Sequence, residues 1–251
     1  MMDEKYKKNH EDIEHEPASR MSRNSRKTKK NQEPTTSAAK VKMIFAIVIA
    51  ALVRYFSYVL DVLKSPVRIV EEYNRSYFKY AVISMMLIAV FFSLGNFYQL
   101  LAGRGRILGF GVSVPFFEVF FVVFLYCMIF MFTVAAAIWA VSRFMMTYNI
   151  TFAETVAKYG SLLVPFIIPA ALWMVFAIVN FTVMTVILSI LMFLGLTFAS
   201  FTIIQSIYEQ TKKRRADLMY CVFSVLLIEL VFVGVTWKFI AGYLLSSLIP
   251  V

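Results

Sequence analysis

The chain has 251 residues, of which 60% are apolar and 16% charged, and its formal net charge is +10 at pH 7. A soluble domain is about 45–50% apolar and about 25% charged, so this composition excludes an ordinary soluble enzyme. The two cysteines, Cys127 and Cys221, both lie in apolar surroundings and cannot form a disulfide framework or a four-ligand zinc site, and the two histidines lie apart from them in the polar N-terminal tail. We expect no metal and no cofactor. The composition predicts an all-α protein, a polytopic transmembrane helical bundle.

Residues 1–40 differ in composition from the rest of the chain. They hold ten Lys/Arg, seven Asp/Glu and few large apolar side chains, so we expect a disordered cytoplasmic tail. Six basic residues within it follow one another without an intervening acid: Arg20, Arg23, Arg26, Lys27, Lys29 and Lys30. Such a block attracts anionic lipid or an acidic partner, or it is a solvated segment that only sets topology. No nucleic acid is expected, because the positive charge follows the predicted membrane boundaries.

Residues 41–75 are expected to form two helical pieces at the membrane interface. The eleven apolar residues from Met43 to Val53 are fewer than the about 20 that a span needs. Beyond them, polar residues recur on one helical face: Arg54, Ser57, Asp61, Lys64 and Arg68. Apolar residues occupy the opposite face: Leu52, Tyr55, Val59, Val62 and Leu63. Ser65–Pro66 separates the two pieces. A full span over 41–60 remains the alternative.

Residues 76–251 are predicted to contain five spans, at about 77–101, 114–141, 159–179, 182–206 and 216–245. Fifty residues between Lys158 and Glu209 carry no charge, which is long enough for two spans. Asn180 is the expected tight turn between them. The predicted connections are 102–113, 142–157 and the basic loop 207–215.

The distribution of Lys and Arg predicts the orientation. Fifteen Lys/Arg precede Ser76, and the same side receives Lys79, Arg143, Lys158 and the cluster Lys212, Lys213, Arg214 and Arg215. The other side receives only Arg104, Arg106 and Lys238. We therefore expect a bacterial cytoplasmic-membrane protein with its N-terminus inside and its C-terminus outside.

Two motifs accompany this pattern. Asp61-Val-Leu-Lys-Ser-Pro66-Val-Arg68 precedes the five spans, and Thr151-Phe-Ala-Glu154 leads to Tyr159-Gly-Ser161-Leu-Leu-Val-Pro165 between spans two and three. Over about 56–245 the chain thus resembles the bacterial branch of the YIP family of five-pass membrane proteins, whose eukaryotic founders interact with Ypt/Rab GTPases. The zinc ribbon of some bacterial relatives has no counterpart, since the tail has no cysteine. The resemblance implies an architecture rather than a chemistry.

Glu229 is the most informative single residue. It lies near the middle of the fifth predicted span, where an acidic side chain costs at least a few kcal/mol unless it is protonated or paired. Three roles are open: a group that couples to a proton or cation, a hydrogen-bonded carboxyl that joins helices, or a contact with a partner helix. Lys238 lies nine residues further on, which is too far for a simple intrahelical ion pair.

Three other residues of the spans are candidates. Glu118 lies near the outer end of span two, where it faces Arg104, Arg106 or Lys238 or simply stands at headgroup level. Tyr159 and Pro165 mark a kinked third span, because proline removes a backbone hydrogen bond. Broken helices line substrate sites in transporters, although prolines also serve packing alone.

The expected function is a non-enzymatic adaptor or organiser of membrane and envelope components. Its contact surfaces are the tail, the interfacial helix and the cluster at 212–215, and its partners are anionic lipid and other membrane proteins. A homo-oligomer is a further expectation. The alternative is a small transporter or channel for a solute, ion or lipid, which would use Glu229 and the proline-containing third span. No enzymatic activity is expected, since no nucleophile–base pair or phosphate-binding motif stands out.

Overall fold

The computed structural model describes residues 37–66, 68, 77–107, 115–211 and 215–248, and every regular element among them is helical. Seven α-helices follow in chain order: α1 (Ser37–Lys64), α2 (Tyr77–Ile107), α3 (Phe116–Phe144), α4 (Phe152–Leu162), α5 (Ile167–Ile178), α6 (Thr182–Gln210) and α7 (Leu218–Leu248). The predicted all-α class is confirmed for these residues. The chain divides into two compact units, Met1–Ile47 and Val48–Val251, and all contacts given below lie within the second.

Five helical segments of this described part are long and apolar enough to cross a membrane: Val41–Lys64, Tyr77–Ala102, Phe116–Phe144, Thr182–Gln210 and Leu218–Thr236. Helices α4 and α5, bent by 42° relative to each other, make a sixth if they count as one span. The number five agrees with the prediction, but the set differs. The prediction placed the first helix at the membrane interface, with a full span over 41–60 as the alternative, and treated the third span as one unit.

Helix α1 ends at Lys64, directly before the predicted break at Ser65–Pro66. Its 28 residues form one continuous helix, so the eleven-residue apolar run underestimates its length. The second predicted piece lies almost entirely outside the described residues. Of the predicted apolar face, Tyr55, Val59 and Val62 pack inward together with Tyr58, whereas Leu52 and Leu63 are exposed. The face of α1 that packs against the other helices is therefore formed around its tyrosines, and not by its most apolar residues.

Helix α2 runs alongside α4 and α5 in the same direction. Gly160 of α4 lies against Ala81, so that a Cβ at position 160 would stand 2.8 Å from the Ala81 Cβ and carbonyl oxygen. Further along, Gly95 of α2 lies against the ring of Trp173 in α5. From the first contact to the second, the position moves about fourteen residues along α2 and about as many along α4 and α5, which is about 20 Å of helix. The bent pair α4–α5 therefore follows α2 along much of its length.

The helix of the third predicted span, 159–179, begins earlier in the chain than the predicted span does. Helix α4 starts at Phe152, and the Thr151 hydroxyl caps it by accepting a hydrogen bond from the Glu154 amide at 3.2 Å. The predicted connection 142–157 therefore shrinks to the residues between Phe144 and Phe152. Thr151 and Glu154 form a T-x-x-E pattern, the usual sign of a helix start, and this signal outweighs the charge of Lys158 that set the predicted boundary.

The turn between α5 and α6 lies at Asn180, as predicted. Asn180 adopts a φ of 61°, a left-handed conformation that asparagine tolerates better than most residues. The amide of Phe181 donates to the Phe176 carbonyl oxygen at 2.9 Å and closes the turn. Helix α2 extends to Ile107, so the predicted loop at 102–113 begins with more than a turn of helix.

Candidate functional site: a buried carboxyl cluster and a basic end

Glu229 of α7 is buried, with 3% of its surface exposed, and lies against Ser200 of α6. The Ser200 Oγ stands 2.9 Å from the Glu229 Oε1 and 3.1 Å from the Leu196 carbonyl oxygen. A serine hydroxyl carries one proton, so it donates to only one of these oxygens at a time. When it donates to Leu196, only a protonated Glu229 keeps the contact, by donating to the Ser200 Oγ. The arrangement therefore accepts either form of the carboxyl.

Tyr159 of α4 is the second predicted residue at this place. It is fully buried, and its hydroxyl has no hydrogen-bond partner in the described part of the chain. It interacts electrostatically with Glu229 without a direct hydrogen bond. A buried, unsatisfied hydroxyl costs about 1–3 kcal/mol. Because this hydroxyl interacts electrostatically with a buried carboxyl, the three residues Tyr159, Ser200 and Glu229, called the carboxyl cluster below, are the candidate site.

Pro165 produces the bend beside this cluster. It belongs to a short 3-10 turn, Val164–Phe166, between α4 and α5. Proline has no amide hydrogen and cannot continue the helical hydrogen-bond ladder, and α4 closes instead with the Leu163 amide donating to the Tyr159 carbonyl oxygen at 3.2 Å. The predicted kink therefore ends the helix that carries Tyr159.

The other two candidates within the spans stand apart from this cluster. Lys238 is exposed on α7, and Glu118 is exposed in the first turn of α3. Neither contacts Glu229, whose described partners are Ser200 and Tyr159. A carboxylate in a first turn is favoured by the helix dipole, which is in keeping with an end position for Glu118.

A buried ion pair in α4 escaped the sequence prediction. Lys158, placed by the prediction in an inner loop, is buried with 4% of its side chain exposed, and its Nζ lies 2.9 Å from the Glu154 Oε1. The spacing of four residues was visible and is typical of a helical ion pair. Ser200 was also missed, and nothing in the charge-free stretch around it distinguishes it from the other hydroxyls.

One end of the helical domain carries three exposed basic residues, Lys79, Arg143 and Arg215. We call it the basic end and define it by residues 77–81, 143–152, 208–211 and 215–217. The Arg215 amide donates to the Met145 carbonyl oxygen at 3.1 Å and joins the two loops there. The Arg143 guanidinium stands 5.9 Å from the centre of the Trp139 ring.

Several predicted contact residues lie outside the described residues. They are Lys212, Lys213 and Arg214 of the basic loop and the six tail residues Arg20, Arg23, Arg26, Lys27, Lys29 and Lys30. Helix α2 includes positions 104 and 106, but their side chains are also outside the description. Within the described ranges, no three His, Cys, Asp or Glu residues are placed to hold a metal ion together.

Comparison with known proteins places the chain in a family. No solved structure matches it. The chain is 41% identical over 249 residues to a Bacillus subtilis (strain 168) protein described as "Uncharacterized protein YebC", and the match covers 95% of this chain and 92% of that protein. Residues 44–246 match the family model described as a domain of unknown function, DUF6574. The chain belongs to the DUF6574 family.

Proposed function

We propose that the chain is a multi-pass protein of the bacterial cytoplasmic membrane and a non-enzymatic adaptor or organiser of other membrane components. Its outward helix faces support insertion, because they expose large apolar side chains such as Phe117 (71% exposed), Phe198 (67%) and Leu230 (69%). Apolar surface on this scale is unfavourable in water and is well accommodated by lipid.

In this proposal the basic end faces the cytoplasm, because short inner loops carry the excess of Lys and Arg. Helix α1 then lies along the interface and keeps the tail, with its ten Lys/Arg, on the same side. If α1 crossed fully, the tail would lie outside, against the charge rule. The resulting five-pass arrangement is the one implied by the resemblance to the YIP family.

The observation that supports the adaptor role is the contact between the two loops of the basic end. The hydrogen bond between the Arg215 amide and the Met145 carbonyl oxygen holds the two loops together, so that exposed Arg143 and Arg215 share one surface. Lys212–Arg214 directly precede Arg215 in the sequence. A surface with this density of cations attracts acidic protein segments and anionic headgroups.

Crosslinking in native membranes tests this role. We expect replacement of Lys212, Lys213, Arg214 and Arg215 by Gln to reduce the recovery of a stoichiometric partner at least fivefold by quantitative mass spectrometry. The matched control is Arg104→Gln with Arg106→Gln at the opposite end, which should retain the partner. Equal recovery with both variants, or no stoichiometric partner of the unmodified protein, would refute the adaptor role.

The carboxyl cluster favours a second function, transport of a proton or small cation. Glu229 is the only acidic residue of α7, it is buried, and its carboxyl contacts Ser200 of α6. Tyr159, on the helix before the bend, buries a hydroxyl that has no hydrogen-bond partner among the described residues. Broken helices at mid-membrane commonly form ion sites. In vesicles loaded with a pH-sensitive dye, Glu229→Gln should abolish the flux, whereas Glu209→Gln on the exposed end of α6 should not. Absence of flux in the unmodified protein removes this candidate.

A further inference from the structure

A cavity of about 230 Å³ lies between α2, α3, α6 and α7. Eleven side chains line it, and most are apolar, with Ile88 and Phe92 from α2, Met131 from α3, Met192 from α6 and Val233 from α7 among them. It exceeds the apolar cavity of about 150 Å³ that binds benzene in an engineered protein. It therefore has room for an apolar ligand of moderate size.

The lining has few polar groups, which belong to Tyr126, Cys127 and Ser189. The Ser189 Oγ donates to the Thr185 carbonyl oxygen at 2.8 Å and accepts from the Trp173 Nε1 at 2.8 Å. The Tyr126 hydroxyl stands 3.5 Å from the Thr236 Oγ1, whose single proton is donated to the Phe232 carbonyl oxygen at 2.6 Å. A buried water needs two to four polar partners, and this lining provides few. The cavity thus favours hydrocarbon over water.

The cavity reaches the outer surface of the helices at Phe193. This lining residue of α6 is 50% exposed, whereas Met192 beside it is buried. An apolar guest can therefore enter sideways from the medium around the helices. In the membrane location proposed above, that medium is the acyl region of the bilayer.

We propose that this cavity binds the end of a lipid acyl chain that enters past Phe193. The inference rests on the proposed membrane insertion. It also gives a reason for the unbranched Met131 and Met192 in the wall, because flexible thioethers adapt to a guest of variable shape. Leu196 and Val233 in the lining lie one helical turn from Ser200 and Glu229, respectively, so an occupied cavity would border the helices that hold the carboxyl cluster.

Trp173 serves as a built-in reporter of the cavity. It is 3% exposed, its ring stacks on Phe92 at 4.3 Å between ring centres, and its Nε1 is bonded to Ser189. Replacing Trp139 and Trp237 by Phe leaves Trp173 as the sole tryptophan. In phosphatidylcholine vesicles with bromines near the acyl-chain ends, we expect its emission to fall at least twofold relative to unbrominated vesicles.

Filling the cavity should remove most of this quenching. Val233→Phe, or Leu196→Phe if the first variant folds poorly, should restore at least half of the lost emission. Val235→Phe, at a 58% exposed position outside the lining, is the matched control and should leave the quenching unchanged. Quenching that persists in both filled variants, or its absence in the parent, overturns the proposal.

A second reporter separates this outcome from a failure of membrane insertion. Phe198→Trp, in a chain without other tryptophans, places a probe on the 67% exposed outer face of α6. If the bromolipids quench this probe but not Trp173, the helices lie in lipid and the cavity is unoccupied. If neither is quenched, the proposed membrane location itself fails.

Discussion

Helices α1 and α4 differ in how deeply their side chains are buried, and the difference is the opposite of what their compositions predict. Helix α1 contains the uninterrupted apolar run from Met43 to Val53, yet among its described side chains only Tyr58 and Val62 are buried. Helix α4 contains a glutamate, a lysine, a threonine and a serine, yet every residue from Thr155 to Leu162 is buried. The most polar of these helices is thus the most enclosed.

This contrast follows from the medium proposed for the protein. In lipid, an apolar side chain gains little by turning inward, so close packing and hydrogen bonds select the interior instead. Helix α4 offers both, with Gly160 for close approach and Ser161 as a bonding partner. Helix α1 touches α2 through a group of tyrosine rings, with Tyr58 at 5.1 Å from Tyr80 and 5.5 Å from Tyr77 between ring centres.

The largest loss of stability is expected when the ion pair inside α4 is broken. Glu154→Ala leaves the Lys158 ammonium buried without its partner, and removal of one member of a buried pair costs about 3–5 kcal/mol. We expect about 3 kcal/mol of lost unfolding free energy, because the Glu154 side chain is 20% exposed. Unfolding with SDS in mixed micelles measures it.

A double variant supplies the control for this pair. Glu154→Ala with Lys158→Met should regain much of the stability, since replacing both charges by apolar groups is often neutral. If Glu154→Ala alone unfolds like the parent, the pair contributes nothing and α4 is held by packing only.

A smaller effect is expected from one methyl group at the closest helix contact. In Gly160→Ala the new Cβ would stand 2.8 Å from Ala81, and overpacking of this kind costs about 1–3 kcal/mol. Gly234→Ala is the matched control, because nothing lies within 4 Å of a Cβ there. Its stability should stay equal or rise slightly, as alanine favours helix. Equal melting temperatures for the two variants would contradict the proposed close contact of α2 and α4.

The sequence predicted most helix positions because long apolar runs and turn residues are local signals. The break after Lys64, the bend at Pro165 and the turn at Asn180 all depend on backbone chemistry of single residues. The start of α4 at Phe152 was not predicted, because a charge, Lys158, was taken as the edge of the membrane and the third span was placed from residue 159. The structure buries that charge beside its own partner.

Only part of the carboxyl cluster could be predicted from the sequence. Glu229 and Tyr159 stand out in an apolar sequence, and both were named as candidates. Their proximity depends on how α4 and α7 pack, and the spacing along the chain contains no information on this. Ser200 is one of many hydroxyls that bond to a carbonyl four residues earlier, so its second contact with Glu229 emerges only in three dimensions.

The smallest expected effect concerns the attachment of α1. The Tyr58 and Ser161 hydroxyls stand 2.7 Å apart and are both buried. Tyr58→Phe removes this bond but keeps the ring contacts, and Ser161 still donates to the Ala157 carbonyl oxygen at 2.7 Å. We therefore expect a loss of about 1 kcal/mol, the usual value for one hydrogen bond. Ser161→Ala should add little to Tyr58→Phe if the two hydroxyls act as a pair. Fully additive losses in a double-mutant cycle would show that the hydroxyls act separately and that the rings alone hold α1 in place.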